Sequence, residues 1–211
     1  MAMRRIVLIS LICLAINVSL LWITFFQRQE IVNANGFSKS DLIICFGGSL
    51  TAGKWVSIRE GYPWHLARML NRGIVLNAGI EGLTTEYALE ILKTNILPQN
   101  PRMVVVELGR EDFLNRIPTE KTFKNLRKIV SAIQKIGAMS VVIGIRMGVI
   151  EDEYSPLFRK LAEESGSLHI PNWLDGVMCS PEYRSNLHYP NNKGYRILAK
   201  RVARKIRPLL R

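Results

Sequence analysis

Leu42-Ile43-Ile44-Cys45-Phe46-Gly47-Gly48-Ser49-Leu50-Thr51-Ala52-Gly53 is an apolar run, a glycine pair, a serine and a short stretch closed by another glycine. Such an unbroken run suits a strand buried on both faces of a parallel sheet. Two glycines permit a tight turn, and a serine behind them can sit at the start of the next helix. Runs of the same kind recur at residues 74–76, 103–106 and 141–145. Between them Phe123, Leu126, Val130 and Ile133 repeat at helical spacing, and further helices are expected over 85–95 and 155–165. Strand–helix alternation predicts a three-layer α/β domain with helices on both faces. Its ligand is expected at the carboxyl ends of the strands, where Ser49 would stand.

Residues 6–26 form a run of 21 uncharged positions behind Arg4 and Arg5. A helix of that length rises about 30 Å, enough to cross a hydrocarbon core. The arginines would keep the amino terminus in the cytoplasm and place the rest outside. The rival is a cleaved signal peptide, with Val32-Asn33-Ala34 as the protease site, although its apolar region normally runs only about 7 to 15 residues. The organisation is therefore read as an anchor over 1–26, a polar linker over 27–40 and one domain over 41–211.

Among 211 residues, 48% are hydrophobic and 22% charged, which excludes a disordered or low-complexity chain. The net charge of +12 implies acidic surroundings, and export makes an anionic lipid surface the partner rather than nucleic acid. Residues 193–211 carry eight basic side chains and no acidic one, with Ile197, Leu198, Val202 and Ile206 as an apolar stripe. That helix is the candidate membrane-facing element. Cys13, Cys45 and Cys179 are too few and scattered for a disulfide scaffold or a zinc site.

Four ordered blocks carry a specific likeness. Gly47-Gly48-Ser49-Leu50 follows the first strand, and Asn77-Ala78-Gly79 follows the second. Glu107-Leu108-Gly109-Arg110-Glu111-Asp112 ends the third, and Leu187-His188-Tyr189-Pro190-Asn191 lies near the carboxyl terminus. Together they resemble the SGNH, or GDSL-type, hydrolases, and in layout their small bacterial periplasmic thioesterase and lysophospholipase members. The resemblance implies a three-layer α/β/α sandwich with a parallel, flavodoxin-like sheet of about five strands. It implies an ester or acyl hydrolase acting on acylated lipids or O-acylated glycans, with no metal or organic cofactor. Ser49 would attack the carbonyl and His188 would take and return its proton. The backbone N–H groups of Ser49 and Gly79 would hold the oxyanion.

Three positions depart from the family pattern. Gly48 replaces the aspartate of the first block. Glu111 stands where the family has an asparagine that donates to the oxyanion. An ionised carboxylate has no proton to donate, so Glu111 must be protonated, turn away, or leave the task to Arg110. Ser185 stands where the family has the aspartate that supports the histidine, with Asp175 and Glu182 as substitutes. These losses open a second reading, a binding protein of the cell envelope on a decayed hydrolase fold.

Residues 48–54 also spell Gly-x-x-x-x-Gly-Lys, yet Trp55 stands where a phosphate-binding loop needs the Ser or Thr that ligates magnesium. His65 and His169 have no supporting pattern and are read as structural. Asp112 is read as a loop-capping carboxylate and Cys45 as a small apolar residue of the first strand.

Overall fold

The computed structural model describes residues 41–71, 74–147 and 152–210. The expected anchor and linker over 1–40 lie outside these residues. Among the described residues no helix is long and apolar enough to cross a membrane.

Five strands form one parallel sheet: β1 (Leu42–Gly47), β2 (Ile74–Gly79), β3 (Met103–Glu107), β4 (Met139–Ile143) and β5 (Leu168–Ile170). Their order is β2-β1-β3-β4-β5, the expected flavodoxin-like arrangement. Chain direction across the sheet reverses between β1 and β3, the point where such sheets open a crevice for ligand. Register places Gly47 beside Gly79 on one side and Glu107 on the other, so three carboxyl ends finish level.

The apolar runs account for the central strands. In β1, β3 and β4 nearly every side chain is buried, among them Ile43, Phe46, Val104, Val106 and Val141. The edge strand β2 departs from that expectation: Ile74 is exposed and its neighbours are half-buried, because only one side and part of one face are covered. β4 begins two residues earlier than expected, drawn in by the Met139 N–H donating to the Arg102 carbonyl. It ends at Ile143, where Gly144 bonds across to Ile170 and Trp173. β5 carries too short a run to show in the sequence.

Among the described residues seven α-helices accompany the strands: α1 (Ser49–Ala52), α2 (Tyr62–Leu70), α3 (Thr85–Ile91), α4 (Arg110–Leu114), α5 (Thr119–Lys135), α6 (Tyr154–Ser165) and α7 (Asn192–Ile206). They flank the sheet in two groups, α2 packing with α7 while α3, α5 and α6 follow one another. α5 buries Phe123, Leu126, Val130 and Ile133, the stripe its periodicity requires. α3 was expected to reach residue 95. It passes instead into a wider helical turn at Leu92–Ile96 before Pro98, and the chain turns away at Asn100 (φ 50°). α2 escaped the sequence reading because Pro63 stands in its first turn, where proline lacks only an N–H that would be unpaired anyway. On α7, Leu198, Val202 and Ile206 are buried and Ile197 lies at the rim of the stripe.

Candidate active site

The site is built at the carboxyl ends of β1, β2 and β3. The Gly48 N–H donates to the Glu107 carbonyl at 3.1 Å, so the ladder extends one residue past β1 before the chain turns into α1. Ser49 opens α1 and is 3% exposed. Gly53, with φ 81°, ends the helix after one turn. The Glu107 carboxyl reaches under α1: its Oε2 accepts from Thr51 Oγ1 at 2.8 Å and from the Thr51 N–H at 3.2 Å. Burial pushes that carboxyl up to about 7, against the opposing effect of the Thr51 bonds. Glu107 thus ties the serine's helix to the central strand.

Glu111 has not turned away. It sits on α4, 9% exposed, and Ser49 Oγ donates to its Oε1 at 2.8 Å. The Arg110 guanidinium approaches the same oxygen at 3.4 Å and stacks over the Tyr189 ring at 5.1 Å. Lys54 also faces that ring at 5.7 Å, while its ammonium pairs with Glu81 at 2.8 Å. Two carboxylates, two cations and an aromatic ring thus stand beside one serine.

The glycine next to Ser49 is not the one expected. The Gly79 N–H is held by Asn77 Oδ1 at 2.9 Å. Its lack of a side chain serves packing, since a Cβ there would lie 2.1 Å from the Ala52 nitrogen. The N–H that reaches Ser49 Oγ, at 3.4 Å, belongs to Gly82. Gly82 has φ 74° in a turn closed by the Leu83 N–H on the Ile80 carbonyl, as the third position of a type II turn requires. Glu81-Gly82 carried this turn signal in the sequence, but the block ending at Gly79 drew the assignment three residues early.

The histidine block folds as a tight loop. Arg184 and Pro190 face each other as an antiparallel bridge, and Asn186 Oδ1 accepts the N–H groups of His188 (2.8 Å) and Tyr189 (3.0 Å). Asn191 then caps α7 by accepting from the Gly194 N–H at 3.0 Å. His188 is exposed, and among the described residues its imidazole makes no hydrogen bond to Ser49 or to Ser185. Ser185 does not take the supporting role: its hydroxyl donates to the Pro190 carbonyl at 3.2 Å. Asp175 is exposed with its carbonyl on Arg201, and Glu182 pairs with Lys193 at 3.3 Å, so neither carboxylate holds the ring.

The remaining side chains serve structure. Asp112 is buried and accepts from the Thr85 N–H (2.9 Å) and hydroxyl, fixing the start of α3. His65 bonds Asn192 at 2.8 Å, joining α2 to α7. His169 lies in β5, and burial lowers its imidazole's affinity for a proton. Burial pushes the Cys45 thiol up to about 12, which excludes a thiolate nucleophile there. Among the described residues no cluster of three His, Cys, Asp or Glu side chains is placed to hold a metal ion.

A family model described as the GDSL-like lipase/acylhydrolase family matches residues 45–197. The chain is 27% identical over 179 residues to thioesterase 1/protease 1/lysophospholipase L1 of Escherichia coli strain K12, spanning 81% of this chain and 86% of that one. It is 31% identical over 153 residues to an arylesterase of Vibrio mimicus, spanning 68% and 76%. Its fold superposes on the psychrotrophic esterase EstA from a Pseudoalteromonas species with a TM-score of 0.74. That match has 22% identity over 81% of this chain and 99% of the other.

Proposed function

This chain belongs to the GDSL-like lipase/acylhydrolase family, and from that premise we propose that it hydrolyses carboxylic esters or thioesters with Ser49 as the nucleophile. The observation that carries this reading is the setting of Ser49 Oγ, between the Gly82 N–H and a carboxylate, in the crevice outside β1 and β3. Attack on the acyl carbon would pass the carbonyl electron pair to oxygen. The N–H groups of Gly82 and of Ser49, the latter at a helix's first residue and so without an intrahelical partner, would receive that charge. The proton that Ser49 Oγ gives up on attack would return to the leaving group, with His188, on the loop that brings Tyr189 to the site, as the family's candidate to carry it. Esterase and thioesterase relatives support the substrate class.

Residues 6–26 would anchor the enzyme in the cytoplasmic membrane with its domain outside, so acylated lipids and O-acylated glycans of the envelope are the substrates within reach. The purified protein should react with a fluorophosphonate and cleave 4-nitrophenyl acetate, and Ser49→Ala should abolish both. Full activity in that variant places the chemistry elsewhere. The exposed His188, which makes no bond to Ser49, favours the second reading of a binding protein. That reading prevails if the parent neither labels nor turns over. Extraction with alkaline carbonate tests the anchor, because an anchored chain stays in the membrane pellet.

A further inference from the structure

We propose that Glu111 is the catalytic base that takes the Ser49 proton, so that this site runs on a serine–glutamate pair with the histidine loop in a secondary role. The inference rests on Ser49 being the nucleophile. Among the described residues the acceptor on Ser49 Oγ is Glu111 Oε1, at 2.8 Å, within the reach a general base needs. The carboxylate is presented by a short helix whose Glu111 carbonyl is fixed by the Asn115 N–H (3.0 Å) and side chain (2.8 Å). Position 48 lies beside it, since a Cβ on Gly48 would stand 3.4 Å from Glu111 Cγ, in ordinary contact.

The arrangement removes the electrostatic objection to a glutamate in the asparagine position. An ionised carboxylate would repel an oxyanion, but a carboxylate acting as base is neutral when the oxyanion exists. As the Oγ–C bond forms, the Ser49 proton passes to Glu111 and the carbonyl π pair moves onto oxygen. One negative charge has moved from Glu111 to the oxyanion. The new carboxylic acid carries an O–H that can donate where the family's asparagine would. Arg110, 3.4 Å from Oε1, offsets the one negative charge in both states. Collapse breaks the C–O or C–S bond, and the leaving group departs with the proton held by the Glu111 carboxylic acid, which becomes a carboxylate again. Water then attacks the acyl-serine, giving a proton to the restored carboxylate, and the second collapse returns a proton to Ser49 Oγ.

The test uses the full-length protein in detergent, with fluorophosphonate labelling and kcat/KM on 4-nitrophenyl acetate measured across pH. Glu111→Gln should slow both by about 10²- to 10⁴-fold, the usual contribution of a positioned base. Glu111→Asp should recover part of the loss. In the parent, rates should fall toward acid as the carboxylate protonates, and that acid limb should vanish in Glu111→Gln yet persist in His188→Ala. Undiminished labelling in Glu111→Gln, or an acid limb that follows His188 instead, overturns the assignment and returns the role to the imidazole. Melting curves check that Glu111→Gln folds. Should it not fold, Glu111→Asp, which draws the carboxylate back by one methylene, must slow labelling in a protein that melts like the parent, and labelling at the parent's rate overturns the assignment equally. A parent without labelling or turnover overturns the hydrolase reading itself, which Ser49→Ala distinguishes from failure of this inference alone.

Discussion

Position 48 and position 111 are in contact. With a Cβ at 48 lying 3.8 Å from Glu111 Oε1, an aspartate there would set a second carboxylate against the first. Like charges so close in a buried site cannot both remain ionised cheaply. Gly48→Asp should therefore lower kcat/KM more than tenfold in the parent but much less in a Glu111→Asn background. Four kcat/KM values complete the cycle, and residues in contact commonly couple by about 0.5–3 kcal/mol. Strictly multiplicative factors would show that the two positions do not interact. The chain order of the site residues was legible in the sequence because glycine turns and the serine and histidine blocks are local patterns. Their mutual geometry was not. Ser49 and Glu111 are 62 residues apart, and neither spacing nor composition says which acceptor a hydroxyl chooses. Gly79 and Gly82 show the same limit: two glycines three residues apart, one there for packing and one for its N–H.

The elements were legible in proportion to their burial. Central strands announced themselves as apolar runs, whereas half-exposed β2 and three-residue β5 gave weak patterns because their environments are mixed. At this scale the decisive contact is Glu107 on Thr51, between β3 and α1. Burial raises the folded carboxyl from 4.5 to about 7. Between those values the unfolded chain has released this proton while the folded chain still holds it. Glu107 therefore makes stability fall as pH rises from about 4.5 to about 7, by a term on the order of 3 kcal/mol that levels off above. The melting temperature measured from pH 4.5 to 8 should show this decline, and Glu107→Gln should flatten it. An equal slope in both proteins would mean that Glu107 is ionised throughout.

At the scale of the whole molecule, the last helix presents a cluster of positive charge. Arg196, Lys200, Arg204 and Arg207 rim an open groove of about 670 Å³ floored by Met69 and Ile197. Anionic headgroups suit it, and each nearby cation contributes about 1 kcal/mol at a membrane surface. A chain shortened to residues 41–211, whose elements share one core, should sediment with phosphatidylglycerol vesicles, release with salt, and lose binding on Lys200→Glu with Arg204→Glu. Equal sedimentation with phosphatidylcholine vesicles would remove the membrane from the account.

The sheet order has a consequence for how the protein is born. β1 is the first strand to emerge, yet it lies between β2 and β3 and bonds to both. Its second edge is closed only after residues up to Glu107 have followed, and the acceptor for Ser49 comes four residues later. Until then the nascent chain offers one open edge of a wholly apolar strand, the kind of edge on which chains associate wrongly. The segment that ends in the nucleophile thus waits for its second partner, and its open edge is available to a chaperone or a protease before position 111 arrives.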